Sequence, residues 1–381
     1  MSSGLLVQKP PSNQSPVGSH NVPNTKPPLS RNSLVSGGGG GGEMTNVNNN
    51  SITEPRPEDC TTQVSGGWCS GLFAAADMTI RHVTSVEDCG YVDTRTIIGE
   101  GAESHVVRYK APDGNDVAVK IISKVQHPVH QQQTQEVAYL RRLAHHPSVV
   151  RYLDAMQTAT HVYLVTEEFG IDLDRWQTQL KNQLMSLPLE YTESIREVTR
   201  QLVSAVRNLH RCGVVHRDIK LHNVLIRQGE VKLIDFGAAC AIQETICAPI
   251  KGTLGYVPPE VLLRASSHTF TCEGSALPLL DVFALGVVVY QLLYGRAPFR
   301  VHDLGEIAKG QADPFAVKAA TLLARMARPP PYYPRGLGNI CVDSDAKEFV
   351  QGMLKADPSE RWTLDRAMNS AWLSKRRESG A

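Results

Sequence analysis

The sequence predicts an α+β chain of two lobes, a small strand-rich one followed by a larger helical one, behind a disordered leader. Three observations predict it. Between about Tyr91 and Phe169, short runs alternate apolar and polar residues, the period of half-buried strands. Beyond Gly170 the apolar spacing changes to three and four over long segments, the period of helices. Before about Pro57 the chain is rich in Pro, Ser, Asn and Gly, too poor in apolar residues to offset the entropy of ordering it.

Residues 1–85 form the leader, with Pro10-Pro11, Pro27-Pro28, a glycine run from Gly37 to Gly42 and Asn48 to Asn50. Trp68 to Ile80 (WCSGLFAAADMTI) is an apolar island within it. It suits either a docking segment or a short element packed on the folded domain. From Tyr91 the first lobe, residues 91–169, begins. Val106 to Lys110 and Val117 to Ile122 read as strands separated by the turn Pro112-Asp113-Gly114-Asn115. Gln131 to Ala144 reads as the one key helix, with Val137, Leu140 and Ala144 on one face. His161 to Phe169 is a further strand. The second lobe, residues 170–373, carries helices over Tyr191 to Cys212, Leu280 to Tyr294, Asp345 to Lys355 and Leu364 to Leu373, and a surface loop over Arg264 to Leu279. A strand-rich half followed by a helix-rich half suggests a nucleotide held at the junction.

Composition narrows the function classes. With 39 basic and 38 acidic residues the formal net charge is +1, so no global field points to nucleic acid or membrane as a partner. The eight cysteines are scattered without a C-x-x-C pair, which argues against a cysteine metal site and suits a reducing compartment. The N-terminus lacks a basic start followed by an apolar run, Ser2 excludes the usual myristoylation signal, and no apolar run reaches the ~20 residues of a spanning helix. A soluble monomer is expected, in the cytoplasm or the nucleus.

The chemistry is concentrated in His216-Arg217-Asp218-Ile219-Lys220-Leu221-His222-Asn223 and in Asp235-Phe236-Gly237, which starts twelve residues after Asn223. Two acids, an amide and a lysine at these spacings suit holding a magnesium-bound triphosphate beside a hydroxyl. The pattern resembles the catalytic and metal loops of eukaryotic protein kinases. Upstream, Gly99-Glu100-Gly101 precedes Val117-Ala118-Val119-Lys120 at the spacing of that family's glycine loop and strand lysine. Ser104 stands where a third glycine is usual, which implies a stiffer loop. The resemblance covers about Tyr91 to Leu373 and implies the two-lobed protein kinase fold, with ATP and Mg²⁺ as cofactors and protein substrates as partners.

Residue by residue, the resemblance implies that Asp218 accepts the substrate hydroxyl's proton, that Lys220 contacts the γ-phosphate, and that Asn223 and Asp235 bind metal. Lys120, aimed by Glu136, reaches the α- and β-phosphates. Gly99, Glu100 and Gly101 cover the phosphates, while Val106, Ala118 and Leu225 enclose the base. Thr166 falls at the gatekeeper position, and Glu167 to Phe169 offer backbone groups to the adenine. Gly252-Thr253 through Pro258-Pro259-Glu260 resembles the end of an activation segment. There Thr253 should contact Asp218 and Lys220, Glu260 should pair with Arg361, and Asp281 should brace the catalytic loop. Lys220 and Thr253 together imply the serine/threonine branch.

Three features bear on regulation and specificity. Arg217 is the arginine such loops use to hold an activation-segment phosphate, yet Thr245 is the only hydroxyl between Gly237 and Lys251. Activity without conventional loop phosphorylation, or dependence on Thr245, is therefore expected. The ending from Val342 to Leu373 is similar to the calmodulin-dependent group, but the chain stops soon afterwards, so calmodulin control is not expected. Leu221-His222 and Gln291 replace residues with which basophilic members read substrate arginines, which predicts weak selection for basic residues. A pseudokinase would normally lose Lys120, Asp218, Asn223 or Asp235, and none is lost. The Gly-Thr to Pro-Pro-Glu segment argues against a small-molecule kinase.

Overall fold

The computed structural model describes residues 79–101, 104–124, 130–184, 187–242, 246–248, 252–263, 270–272, 276–330, 335–337 and 341–375. The leader before Thr79, most of the apolar island, Glu103 and Thr245 lie outside the described residues.

The first lobe is built from β1 (Arg81–His82), β2 (Val92–Glu100), β3 (Ser104–Lys110), β4 (Asp116–Ser123), α1 (His130–Arg142), β5 (Tyr152–Gln157) and β6 (His161–Glu167). The strands form one sheet in the order β1-β5-β6-β4-β3-β2, antiparallel except for the β1–β5 pair. Along β4 the side chains alternate between faces. Val117, Val119 and Ile121 join Val107, Tyr109, Met156 and Val165 in a core on one face. Ile122 turns to the other face and shares a core with Val137 and Leu140 of α1. Opposite residues on antiparallel neighbours share a face, so the register fixes the lining of the inner one. Val106 lies across from Lys120, and Arg108 from Ala118. Lys120 in turn faces Leu164, and Ala118 faces Thr166. The outer strand β2 is bulged twice, at Asp93/Thr96 and at Ile97/Gly99.

The second lobe follows with β7 (Ile171–Asp172), α2 (Leu173–Leu184), α3 (Pro188–Arg211), β8 (Val214–Val215), β9 (Val224–Arg227), β10 (Glu230–Leu233), β11 (Cys240–Ala241), β12 (Ile246–Ala248), α4 (Pro259–Leu262), β13 (Phe270–Cys272), α5 (Pro278–Tyr294), α6 (Leu304–Ile307), α7 (Pro314–Met326), α8 (Ser344–Met353), α9 (Leu364–Met368) and α10 (Ala371–Ser374). Its centre is α5, where every residue from Leu280 to Tyr290 is buried. A helix apolar on all sides belongs inside a core, and α3 and α8 pack against it. At the junction of the lobes Gly170 has φ +46°, and a Cβ there would lie 2.0 Å from the Ile226 carbonyl oxygen. No other residue fits without moving β9. Among the described residues no helix is long and apolar enough to cross a membrane.

The structure departs from the sequence reading in four places. The strand from His161 stops at Glu167 rather than Phe169, because the chain turns toward the second lobe at Gly170. The helix expected over Leu364 to Leu373 is two helices. Thr363 caps the first by accepting from the Arg366 N–H, and Ser370 caps the second by accepting from Leu373. The loop expected over Arg264 to Leu279 contains β13, which pairs antiparallel with β12, and its last residues open α5. Finally, β1 lies within the stretch assigned to the leader. Ile80, the last residue of the apolar island, is buried in the core shared with α1.

Candidate active site

Alternation along β4 carries Lys120 to the inner face of the sheet, opposite α1. There its Nζ meets Glu136 Oε1 at 2.9 Å and Oε2 at 3.0 Å, and Asp235 Oδ1 at 2.9 Å. Glu136 reaches inward because its neighbours Val137 and Leu140 are core residues of the same helix. Burial alone would lower the Lys120 pKa, but Glu136 and then Asp235 outweigh it, and the pKa is raised. Burial likewise opposes ionisation of Asp235, yet Lys120 overrides it and draws the carboxyl down to about 2. Lys120 and Asp235 are charged together, a set matched to anionic oxygens and a cation, while burial pushes the Glu136 carboxyl up against the pull of Lys120.

The catalytic loop leaves β8, which pairs with β11. Asp281, fully buried at the start of α5, braces it. Its Oδ2 accepts from the His216 N–H at 2.8 Å and its Oδ1 from the Arg217 N–H at 2.8 Å. A third partner, His210 Nε2 at 2.8 Å from Oδ2, was not anticipated. Its position six residues before His216, at the end of α3, was the only available signal. Burial works against the Asp281 charge, but the His210 hydrogen bond and the backbone donors hold its pKa below the ordinary value. The His216 ring, with no exposed surface, lies 2.9 Å from the Ile234 carbonyl through Nε2 and packs on Phe236. Catalytic loop and Asp235 segment are thereby fastened to each other. Arg217 and Asp235 both adopt left-handed backbone, each at φ 66°, a conformation that costs energy and gathers at functional sites.

Around Asp218 the predicted residues converge. Lys220 Nζ lies 2.7 Å from Asp218 Oδ2 and 3.1 Å from Thr253 Oγ1. The Thr253 N–H and hydroxyl each donate to Asp218 Oδ1 at 3.1 Å. Asn223 donates Nδ2 to the Asp218 carbonyl at 2.8 Å and to Oδ2 at 2.9 Å. With that amide nitrogen committed, Oδ1 is the atom Asn223 can turn to a cation. Among the described residues no group of three or more His, Cys, Asp and Glu could hold a metal. One carboxylate (Asp235) and one amide oxygen (Asn223) could serve as donors to a cation. Such a set suits a hard cation that completes its shell with water and phosphate oxygens.

On the nucleotide side, Gly99 and Glu100 end β2, and Gly101 donates its N–H to the Ser104 carbonyl at 2.8 Å, closing the turn. Val106, Ala118 and Thr166 lie on the inner face, as the register requires. Leu225 sits half-buried on β9, opposite Asp172 of β7. The hinge is more committed than the sequence suggested. The Glu167 N–H donates to the Arg151 carbonyl at 3.0 Å, and its carboxylate takes Lys232 Nζ at 2.7 Å. The Phe169 ring is buried between Arg227 and Lys232, at 4.3 and 4.6 Å, so Phe169 has only backbone to offer a ligand. Arg108 clamps the hinge through Glu168 with two bonds of 2.7 and 2.6 Å. Sequence reasoning missed that pair, although alternation from Val106 places Arg108 on the same face.

Glu260 meets Arg361 in two bonds of 2.7 and 2.9 Å, joining the end of the activation segment to the loop before α9. Gln291 accepts the Tyr256 hydroxyl through Oε1 at 2.8 Å, and His222 is exposed.

Comparison with known proteins agrees with this geometry. The family model for the protein kinase domain matches residues 92–373. A CDPK-related protein kinase from Daucus carota is 32% identical over 291 residues, which are 72% of this chain and 43% of the relative. Ribosomal protein S6 kinase alpha-4 from Mus musculus is 31% identical, over 72% of this chain and 33% of its own length. A calcium/calmodulin-dependent protein kinase from Metarhizium anisopliae is 30% identical, over 73% of this chain and 66% of the relative. The chain thus spans less than half of the first two relatives.

Proposed function

The chain belongs to the protein kinase family, and from that premise we propose that it transfers the γ-phosphate of ATP, with magnesium, to serine and threonine hydroxyls of proteins. The observation that carries the serine/threonine reading is the triangle of Asp218, Lys220 and Thr253, with Thr253 Oγ1 3.1 Å from both partners.

Phosphoryl transfer asks the protein mainly for positioning and charge. Asp218 orients the attacking hydroxyl and takes its proton as the new O–P bond forms and the bond to the β-phosphate oxygen breaks. Lys220 offsets the negative charge at the transferring group. Lys120, steadied by Glu136, holds the α- and β-phosphates. Asn223 and Asp235 hold magnesium, which when bound neutralises phosphate charge and aligns the terminal group. Gln291 is neutral and engaged by Tyr256, and His222 bears no acid, which supports weak selection for basic residues around the target. The scattered cysteines, without a C-x-x-C pair, favour a reducing compartment, the cytoplasm or nucleus.

The test is magnesium-dependent phosphate transfer from ATP to a degenerate peptide library, comparing wild type with Asp218→Asn. Transfer to serine and threonine, reduced roughly 10³-fold or more in the variant, is expected. Equal rates in the two proteins, or transfer to tyrosine alone, would overturn the proposal. Strong enrichment of arginine before the target would overturn the specificity reading.

A further inference from the structure

The family match begins at residue 92, yet the chain is already fastened to the first lobe from Thr79. Beyond β1 itself, whose register sets Arg81 beside Met156 and His82 beside Gln157, four contacts fasten it. The Val83 N–H donates to the Gln157 carbonyl at 2.9 Å. Gln157 Nε2 returns a bond to the Ile80 carbonyl at 2.7 Å, while its Oε1 takes Lys124 Nζ at 2.8 Å. Arg81 pairs with Asp154. Ile80 itself is only 5% exposed and sits in the core with Val137 and Leu140 of α1.

The fourth contact reaches the helix that carries Glu136. Arg141, in the last turn of α1, donates Nη1 to the Thr79 carbonyl at 2.9 Å and Nε to the Tyr152 hydroxyl at 3.0 Å. Its guanidinium also lies over the Tyr152 ring, at 5.4 Å. At about 100° per residue, Arg141 stands some 140° around the helix from Glu136. The two ends of α1's grip therefore lie on different sides. Lys120 holds one side through Glu136, and the Thr79 carbonyl holds another through Arg141, while Ile80 joins the core into which α1 packs. Without the Arg141 contact the helix can roll about its remaining ties, the Lys120 pair and the bonds of Gln135 to the Ala239 carbonyl and of Arg142 to the Cys212 carbonyl, and a roll moves Glu136 away from Lys120.

We infer that Thr79 to Val83 form a strap belonging to the catalytic unit, and that Ile80 and Arg141 are positioning residues for the Lys120–Glu136 pair. The inference rests on the kinase reading for its consequence in turnover, but not for its consequence in nucleotide binding.

The experiment uses the full chain with Ile80→Ser and Arg141→Gln, each alone and combined with Glu136→Gln. Two quantities are read: kcat and KM for ATP and for peptide, and the affinity for a fluorescent ATP analogue without turnover. Each single variant is expected to lower kcat/KM for ATP about tenfold with the peptide KM within about twofold. Analogue affinity should fall in parallel, and Ile80→Val should restore both. In the Glu136→Gln background either strap substitution should add less than about twofold, because the residue it positions is already gone. Three results would overturn the inference: an unchanged kcat/KM, a fall carried by the peptide KM, or the same tenfold loss on top of Glu136→Gln. If Ile80→Ser fails to fold, Arg141→Gln carries the same test, since Arg141 lies on the helix surface. If the wild type transfers no phosphate, the proposed function fails, and analogue affinity in the same cycle still decides the strap.

Discussion

Lys120 shows how far single residues could be read. Its pairing with Glu136 was legible because the spacing from the glycine loop and the following helix both pointed there. Its second partner was not. Asp235 lies 115 residues further on, and nothing local in either segment announces the contact. Lys120→Met should abolish transfer while lowering stability only by about 1–3 kcal/mol, measured by urea unfolding. Breaking a buried pair is usually dearer, but burial already pushes the Glu136 carboxyl up, so it can take a proton when its partner is gone. His146 makes a prediction that sequence could not. It is 5% exposed, its Nε2 has no hydrogen-bond partner, and burial lowers its pKa from 6.5 to about 4. The unfolded chain therefore binds the proton first. The stability is complete above about pH 6.5 and drains away as pH falls toward 4, with about 2 kcal/mol lost at pH 5. His146→Asn should flatten the difference between unfolding free energies at pH 7.5 and pH 5 by about that amount.

Elements were legible where a period ran long and illegible where pairing was remote. The helices α3 and α5 announce themselves by spacing, whereas β12 and β13 have three residues each and find one another across a long connection. The split between α9 and α10 was written in the sequence as a serine able to cap, but Ser370 sat within an apolar rhythm that suits one continuous helix. The β12–β13 ladder ties the activation segment through backbone hydrogen bonds. Phosphatase-treated Thr245→Ala should therefore keep its transfer rate within about threefold of wild type, and a loss of tenfold or more would show that the hydroxyl is needed. Packing is also close at Gly352 of α8, where a Cβ would lie 2.2 Å from the Trp362 ring. The indole is buried and covered by Arg366, whose guanidinium lies 4.6 Å away, and it cannot swing clear. Gly352→Ala should cost about 2–3 kcal/mol, read from the midpoint of denaturant unfolding.

At the scale of the whole molecule, the two-lobed arrangement and most of the site followed from motifs, while the fastenings between distant segments did not. The Glu260–Arg361 pair is an exception, since both ends lie in recognisable patterns 101 residues apart. The Arg361 side chain has no exposed surface and also donates to the carbonyls of Lys355, Leu279 and Ala356. Glu260→Ala would strand a buried guanidinium, and a loss of about 3–5 kcal/mol is expected. For a domain of this size that is a fall of roughly 10 °C in Tm, measurable by scanning calorimetry.

The first-lobe sheet is open, and an open sheet has two margins at which another chain could add a strand. On the β2 side the two bulges twist the backbone out of line and spoil it as a template. On the β5 side the one irregularity, at Tyr152/Asp154, leaves Met156 and Gln157 in regular register, and β1 covers those two residues instead. Loss of the first 83 residues would bare the β5 backbone groups that β1 now occupies. Shortened forms should accordingly self-associate as concentration rises, through strand addition at β5, while the full chain stays dispersed in light scattering. The short strand beside Met156 and Gln157 would then guard solubility as well as shape.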